Sequence, residues 1–381
     1  MADSDIKAMT ANLDAVEFDE TAFTEPVPLS EAKVAIVTSA SLHHPDDEDF
    51  SPMDTGYRVL QSETRDYVMG HWSPNFDATG FALDINTVFP IDRLDELAAQ
   101  GVIGSVADEH LAYAGNQFEL SAIRMDSGPA GAKFLKEQGV DIVLLTPVCP
   151  LCTRTVSTLA HIFEAEGIAT VALGSIKNQI ESTAPPRGLW CDFPLGRPLG
   201  VPGDPEFQHR VLATAFEMLQ SPEPIFAEYD VIIPDDESEV LACPMPPRHD
   251  PDAHPAVDEA NGLRPAYERA IAKYGNRVGA GRAVQVDDIA TAIEAFVRVA
   301  EGTSWKEAGI PGIPSRVSQD IRGYYETAAL ALSDHAPSAW AGTRWFLDHT
   351  EAGKVVMAAR QAMADAGENN PIWFYMAPGD R

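Results

Sequence analysis

Cysteine is scarce in this 381-residue chain: there are four, at positions 149, 152, 191 and 243. That is too few and too unevenly spaced for a disulfide framework, and it fits a reducing cytoplasm better than an oxidising compartment. Basic residues are also few, with 27 Lys plus Arg against 58 Asp plus Glu and a net charge of −31. Such a balance repels phosphate backbones and anionic membranes, so nucleic acid is disfavoured as a partner, while solubility is favoured even in a salty cytoplasm. No apolar run is long enough to span a bilayer. The first residues pass through Asp3, Asp5, Asp14, Glu17, Asp19 and Glu20 without the basic, apolar and small-residue succession of a signal peptide. No G-x-G-x-x-G follows the first apolar strand and there is no Walker loop, so nucleotide and nicotinamide cofactors have no positive support.

Strand and helix patterns alternate from Val34 onward. Strands are expected at Val34–Val37, Ala82–Val88, Asp141–Leu145, Ala169–Leu173 and Gly188–Cys191. Between them come helices after Pro90, at Gly131–Glu137, after Cys152, from Ser175 and at Pro205–Leu219. This predicts an α/β fold with a mostly parallel, doubly wound sheet of the Rossmann or flavodoxin-like type, whose ligands gather beyond the carboxyl ends of the strands. Residues 1–30 read as an acidic arm, disordered or laid on a neighbour, and 31–222 as the α/β domain. Residues 223–262, rich in Pro, Asp, Glu and His, read as an extended connector. Helical spacing at Ile289, Ile293, Phe296 and Val297, at Ile321, Tyr324, Tyr325 and Ala328, and at Val355, Val356, Ala359 and Met363 predicts a C-terminal helical unit over 263–381.

One tetrad carries the chemistry. Cys149-Pro150-Leu151-Cys152 follows the apolar run Ile142-Val143-Leu144-Leu145 and precedes a helix carried by Val156, Leu159, Ala160 and Phe163, with Thr153 and Thr155 offering hydroxyls to its first turn. Backbone N–H groups at a helix start favour thiolate over thiol, so a reactive thiol is expected there, with Cys149 attacking and Cys152 resolving. Two other readings stay open: half of a metal site completed by Cys191 and a histidine such as His43 or His71, and a pair of structural cysteines. No metal is expected. Arg154 could lower a thiol pKa or clamp a substrate carboxylate, or could equally be a surface ion-pair residue. His43, His44, His71 and His110 flank apolar strands, and taken singly each is more often a satisfied histidine than a catalyst. His43 and His44 gain weight because the loop after a first parallel strand shares the edge that would hold Cys149.

The phrase Leu145-Thr146-Pro147-Val148-Cys149-Pro150-Leu151-Cys152 resembles the glycine, sarcosine, betaine and D-proline reductase selenoprotein B family. So do Gly167-Ile168-Ala169-Thr170-Val171, Asp192-Phe193-Pro194-Leu195-Gly196-Arg197-Pro198-Leu199-Gly200, and Asn86 to Leu94 with Gly104 beyond it. The likeness covers about residues 31–222. It implies a reductase in which a selenocysteine or cysteine attacks the carbon next to a carboxylate, expels an amine and leaves a covalent intermediate that a second thiol or protein resolves. Cys149 stands at that position, so no selenium is needed in this chain. The implied electron donor is an external thiol or a redox partner protein, with no cofactor held by the chain; a homo-oligomer is compatible with it. The chain departs from the family pattern at Thr153 and Arg154, where histidine and glutamine are frequent, and at Asn75 in Ser73-Pro74-Asn75-Phe76-Asp77, where a histidine is frequent. These changes imply an altered acid or substrate contact, with Asp77 a supporting candidate. A disulfide oxidoreductase and a non-catalytic subunit are the competing functional readings.

Overall fold

A computed structural model of the chain describes residues 3–18, 21–235, 245, 247–333 and 335–379. Cys243 and part of the acidic stretch after Pro234 lie outside the described residues. The chain forms two compact units: one from Asp3–Trp72 with Asp84–Pro234, the other from Ser73–Leu83 with Asp235–Arg381.

The first unit is α/β. Its strands, in chain order, are β1 (Lys33–Thr38), β2 (Leu42–His43), β3 (Tyr57–Gln61), β4 (Val68–Met69), β5 (Ser105–Val106), β6 (Glu109–Tyr113), β7 (Ile142–Thr146), β8 (Ala169–Gly174), β9 (Arg187–Trp190) and β10 (Ile225–Glu228). Eight of them make one sheet ordered β10-β9-β8-β7-β1-β6-β3, with β5 also on β1. All pairings are parallel except β3 with β6. Every residue of β7, and Val34 to Val37 of β1, is fully buried, as strands covered on both faces must be. One face packs Ala35, Val37, Val143 and Leu145 against Ala132, Leu135, Val156, Leu159 and Phe163 of the helices Gly128–Glu137 and Cys152–Ala165. From β1 the chain runs to β5, β6 and β3 on one side, then returns to β7 on the other. The carboxyl ends of β1 and β7 therefore flank a topological switch point, the usual place for a ligand in such a sheet.

The N-terminal arm is ordered on this unit, with a helix at Asp3–Thr10. A buried ion pair fixes its far end: Glu164 meets the Arg187 guanidinium at 2.7 Å and accepts from the backbone N–H groups of Thr24 and Thr170, while Arg187 donates to the Thr24 carbonyl at 2.9 Å.

The second unit is helical, its main helices being Pro255–Tyr274, Ile289–Ala300, Pro314–Leu332, Ala341–His349 and Glu351–Asp365. They enclose a core that includes Leu263, Phe296, Ile321, Tyr325, Trp345 and Val356. Buried Asp320 accepts from the N–H groups of Arg282, Ala283 and Val284 at 3.0, 2.7 and 2.9 Å, tying an irregular turn to the helix Pro314–Leu332.

Three boundaries differ from the sequence expectation. Ala82–Val88 is not a strand: it forms the end of the helix Thr79–Leu83 and a 3-10 turn at Ile85–Thr87, because Asp84 accepts from Asn86 N–H and turns the chain. The expected connector begins with β10, whose strand of four residues is too short for a clear pattern, and ends inside a helix already begun at Pro255 that continues through Pro265. Residues 73–83 join the helical unit, where Pro74 carbonyl accepts from Arg322 at 3.0 Å and Asn75 Oδ1 accepts from Gly379 N–H at 2.8 Å. Among the described residues, no helix is long and apolar enough to cross a membrane.

Glu164→Gln should cost about 3–5 kcal/mol, because it leaves a buried guanidinium uncompensated. Urea unfolding with an unchanged denaturant slope measures it; a cost under about 1 kcal/mol would show that the pair does not hold the arm.

Candidate active site

Three carboxyl-end segments converge: Ser39 after β1, Gly115 after β6 and the tetrad after β7. Ser39 N–H donates to Thr146 carbonyl at 3.0 Å, and Gly115 N–H donates to Ser39 carbonyl at 3.2 Å. The tetrad turns sharply, with Cys152 N–H donating to Cys149 carbonyl, and the helix begins at Cys152 itself. The two sulfurs stand 2.9 Å apart, and His71 Nε2 lies 3.5 Å from Cys152 Sγ. Both cysteines are fully buried, and His71 nearly so. A Cβ on Gly115 would come within 2.5 Å of Cys152 Sγ, so only glycine lets the β6 end approach the thiol.

This environment splits the two thiols. Burial opposes a thiolate on Cys152, but the hydrogen bond from Cys149 and the His71 imidazole outweigh it and hold Cys152 well below the ordinary thiol range. Burial pushes Cys149 well above that range, and its neighbour Cys152 adds to the rise. The expectation of a depressed Cys149 is thereby corrected: the imidazole serves Cys152, and the Leu151 N–H that donates to Cys149 Sγ at 3.4 Å does not offset that sulfur's burial. Cys191 is a buried thiol raised by desolvation alone.

The other sequence candidates separate. His43 Nδ1 donates to His44 carbonyl at 2.8 Å, and its Nε2 stands 3.2 Å from an Asp49 carboxylate oxygen. A Cβ on Gly70 would meet Asp49 at 2.4 Å and His43 at 3.1 Å, so this pair abuts the residue preceding His71. His44 is half-exposed in a turn with Asp46 and Asp47 and reaches nothing in the site. Arg154 donates to the carbonyls of Asp14 and Phe118 at 2.8 and 3.0 Å and pins the N-terminal arm. Asp77 belongs to the helical unit, where it accepts from Thr79 hydroxyl, Gly80 N–H and Trp340 N–H. Thr153 and Thr155 do not cap the helix; Thr153 accepts from Ser175 N–H and Thr155 donates to Gly115 carbonyl, locking the tetrad to its neighbours. His110 accepts from Ile36 N–H at the gap between β5 and β6, and burial pulls its pKa down to about 3, so it stays neutral and structural. Gly115, Gly70, Ser39 and Asp49 were missed; nothing in their local sequence distinguishes them from ordinary loop residues.

Among the described residues, His71, Cys149 and Cys152 form a cluster whose donor atoms lie within 4.8 Å of one another, without Cys191 or His43. Two thiolates on one tetrahedral zinc would be held about 3.8 Å apart by zinc–sulfur bonds of about 2.3 Å. The two sulfurs stand closer than that, at 2.9 Å.

A buried, histidine-flanked dithiol thus stands at the switch point of a doubly wound sheet. Residues 5–148 match the family profile described as "Glycine/sarcosine/betaine reductase selenoprotein B". It is 29% identical over 194 residues to D-proline reductase subunit gamma of Acetoanaerobium sticklandii, covering 50% of this chain and 79% of that protein. It is 30% identical over 194 residues to glycine reductase complex component B subunit gamma of Carboxydothermus hydrogenoformans, covering 48% of this chain and 43% of that one. Against sarcosine reductase complex component B subunit beta of Peptoclostridium acidaminophilum the identity is 28% over 205 residues, covering 51% and 46%. The chain thus spans less than half of the two component B proteins. No solved structure matches.

Thiolate absorbance against pH should show one thiol of the pair ionising well below about 8.5, the ordinary value, and Cys152→Ser should remove that low step. His71→Ala should move it upward. A low step that survives Cys152→Ser would return the thiolate to Cys149.

Gly115→Ala should displace Cys152 and slow any reaction at the pair by at least about tenfold, since sub-ångström misplacement at a reacting group is costly. An unchanged rate and an unchanged thiol titration would show that the close approach is incidental.

Proposed function

We propose that the protein is a thiol-dependent reductase that cleaves a carbon–heteroatom bond, C–N by analogy with its relatives, in a small amino-acid or betaine-like substrate. The observation that carries this reading is the 2.9 Å dithiol contact with His71 at its edge, closed off from solvent. A buried pair suits a small substrate better than a bulky disulfide, which weighs against a general disulfide oxidoreductase.

The Cys152 thiolate takes the Cys149 proton across the short contact, and Cys149 sulfur attacks the carbon beside the substrate carboxylate. A C–S bond forms as the C–N bond breaks, and the amine leaves with the bonding pair and a proton. Cys152 then gives its proton toward His71 and attacks Cys149 sulfur. The C–S pair passes to the substrate carbon, which takes up a proton, and a Cys149–Cys152 disulfide remains. The carbon gains two electrons and the thiols lose two; an external thiol or a protein electron donor reduces the disulfide. Partners of this kind suit relatives named as subunits and components of reductase complexes.

Cys152→Ser should still form a covalent adduct on Cys149, more slowly for want of its base, and then stall, whereas Cys149→Ser should form none. Intact-mass measurement and peptide mapping read the result. An adduct on Cys152, or turnover by Cys149→Ser, would overturn the assignment.

A further inference from the structure

Among the described residues three non-glycine positions have positive φ: Ser41 at 53°, Ala184 at 45° and Trp340 at 68°. Ala184 closes the helix Lys177–Thr183 and Trp340 opens the helix Ala341–His349, where such backbone is explained by the helix end. Ser41 has no helix beside it. It lies in the short link between β1 and β2, at the carboxyl edge that carries the thiols. Its side chain is fully buried, and its hydroxyl has no hydrogen-bond partner. A serine held in a conformation that glycine would adopt more easily, with its one polar group unsatisfied, is unfavourable on both counts. Such pairs of costs collect where a ligand completes the site.

Position supports this. Ser41 N–H donates to Tyr113 carbonyl at 3.0 Å, and its carbonyl accepts from Gly70 N–H at 2.8 Å. Gly70 precedes His71, whose ring reaches Cys152. Two residues before Ser41, the Ser39 carbonyl lies 3.8 Å from Cys152 Sγ. The loop bearing the free hydroxyl is thus bonded directly to the segment that places the imidazole. Arg154, the cation expected to meet a carboxylate, is occupied by backbone carbonyls. Recognition of an anionic group at this edge falls to neutral donors.

We propose that Ser41 is a substrate-binding residue whose hydroxyl donates to the carboxylate of a small amino acid held over the Cys149/Cys152 pair. This rests on the reductase reading and adds a specificity contact to it. Ser41→Gly removes the hydroxyl and relieves the backbone, so the variant should fold with an equal or higher melting midpoint. Ser41→Ala serves as a second variant that removes the hydroxyl without relieving the backbone.

The probes are glycine, sarcosine and D-proline, and two readouts are taken on the whole chain: protection of the thiols from iodoacetamide, and the split between KM and kcat. In wild type at least one probe should slow alkylation. In both variants the concentration giving half-protection, and the KM, should rise about ten- to a hundredfold, the usual loss for a hydrogen bond to a charged group. The thiol titration without ligand should not change. If wild type is protected and Ser41→Gly is protected within about twofold of it, the Ser41 assignment fails while the reductase reading stands. If no probe protects wild type or is turned over, the reductase reading fails and this inference with it.

Discussion

The short contact between two buried sulfurs is the constraint around which the α/β unit is arranged. Two fully buried sulfurs 2.9 Å apart do not both carry charge, so one of them keeps its proton. The His71 ring decides on which sulfur the charge settles. The ends of β1, β6 and β7, in parallel register, fix Ser39, Gly115 and Cys149 at one edge, and Gly70, bonded to the Ser41 carbonyl, leads His71 to them. Gly115 and Gly70 are the positions where a side chain would break the arrangement.

Much of the polar chemistry nearby is structural rather than reactive. Arg154 and Gln179 bind the N-terminal arm across the tetrad: Gln179 donates to both Thr10 and Pro150 carbonyls, and Thr10 hydroxyl donates to Pro150 as well. The carbonyl at the centre of the tetrad is thus held from two sides. This fixes the turn that brings Cys149 back over Cys152, and it keeps water from the pair. A thiolate in such a place owes its existence to a few aimed donors, which is why its pKa responds to single residues.

The sheet was legible because β1, β7 and β8 are continuous apolar runs, and the tetrad was legible because it sits at the end of one of them. The α/β class and the helix start at Cys152 follow from pattern and spacing. What could not be read depends on groups far apart in sequence. Which thiol ionises is set by a histidine some eighty residues upstream; Arg154 was diverted by carbonyls of Asp14 and Phe118, and no local signal announces either. Residues 73–83 joined the helical unit for a similar reason, since their partners Arg322, Trp340 and Gly379 lie near the other end of the chain. The strand predicted over Ala82–Val88 failed for a local reason: Asp84 turns the backbone, and apolar spacing alone does not register that.

In the reaction we propose, the buried pair itself supplies two electrons to the substrate carbon. A single-turnover experiment tests it most directly: fully reduced protein is mixed with a substrate amino acid in the absence of any electron donor, and deaminated product and thiol state are counted together. The account predicts one product per chain, matched by one Cys149–Cys152 disulfide found on peptide mapping, and then no further reaction until a dithiol is added. Product formed with both thiols still reduced, or disulfide formed without product, would contradict it.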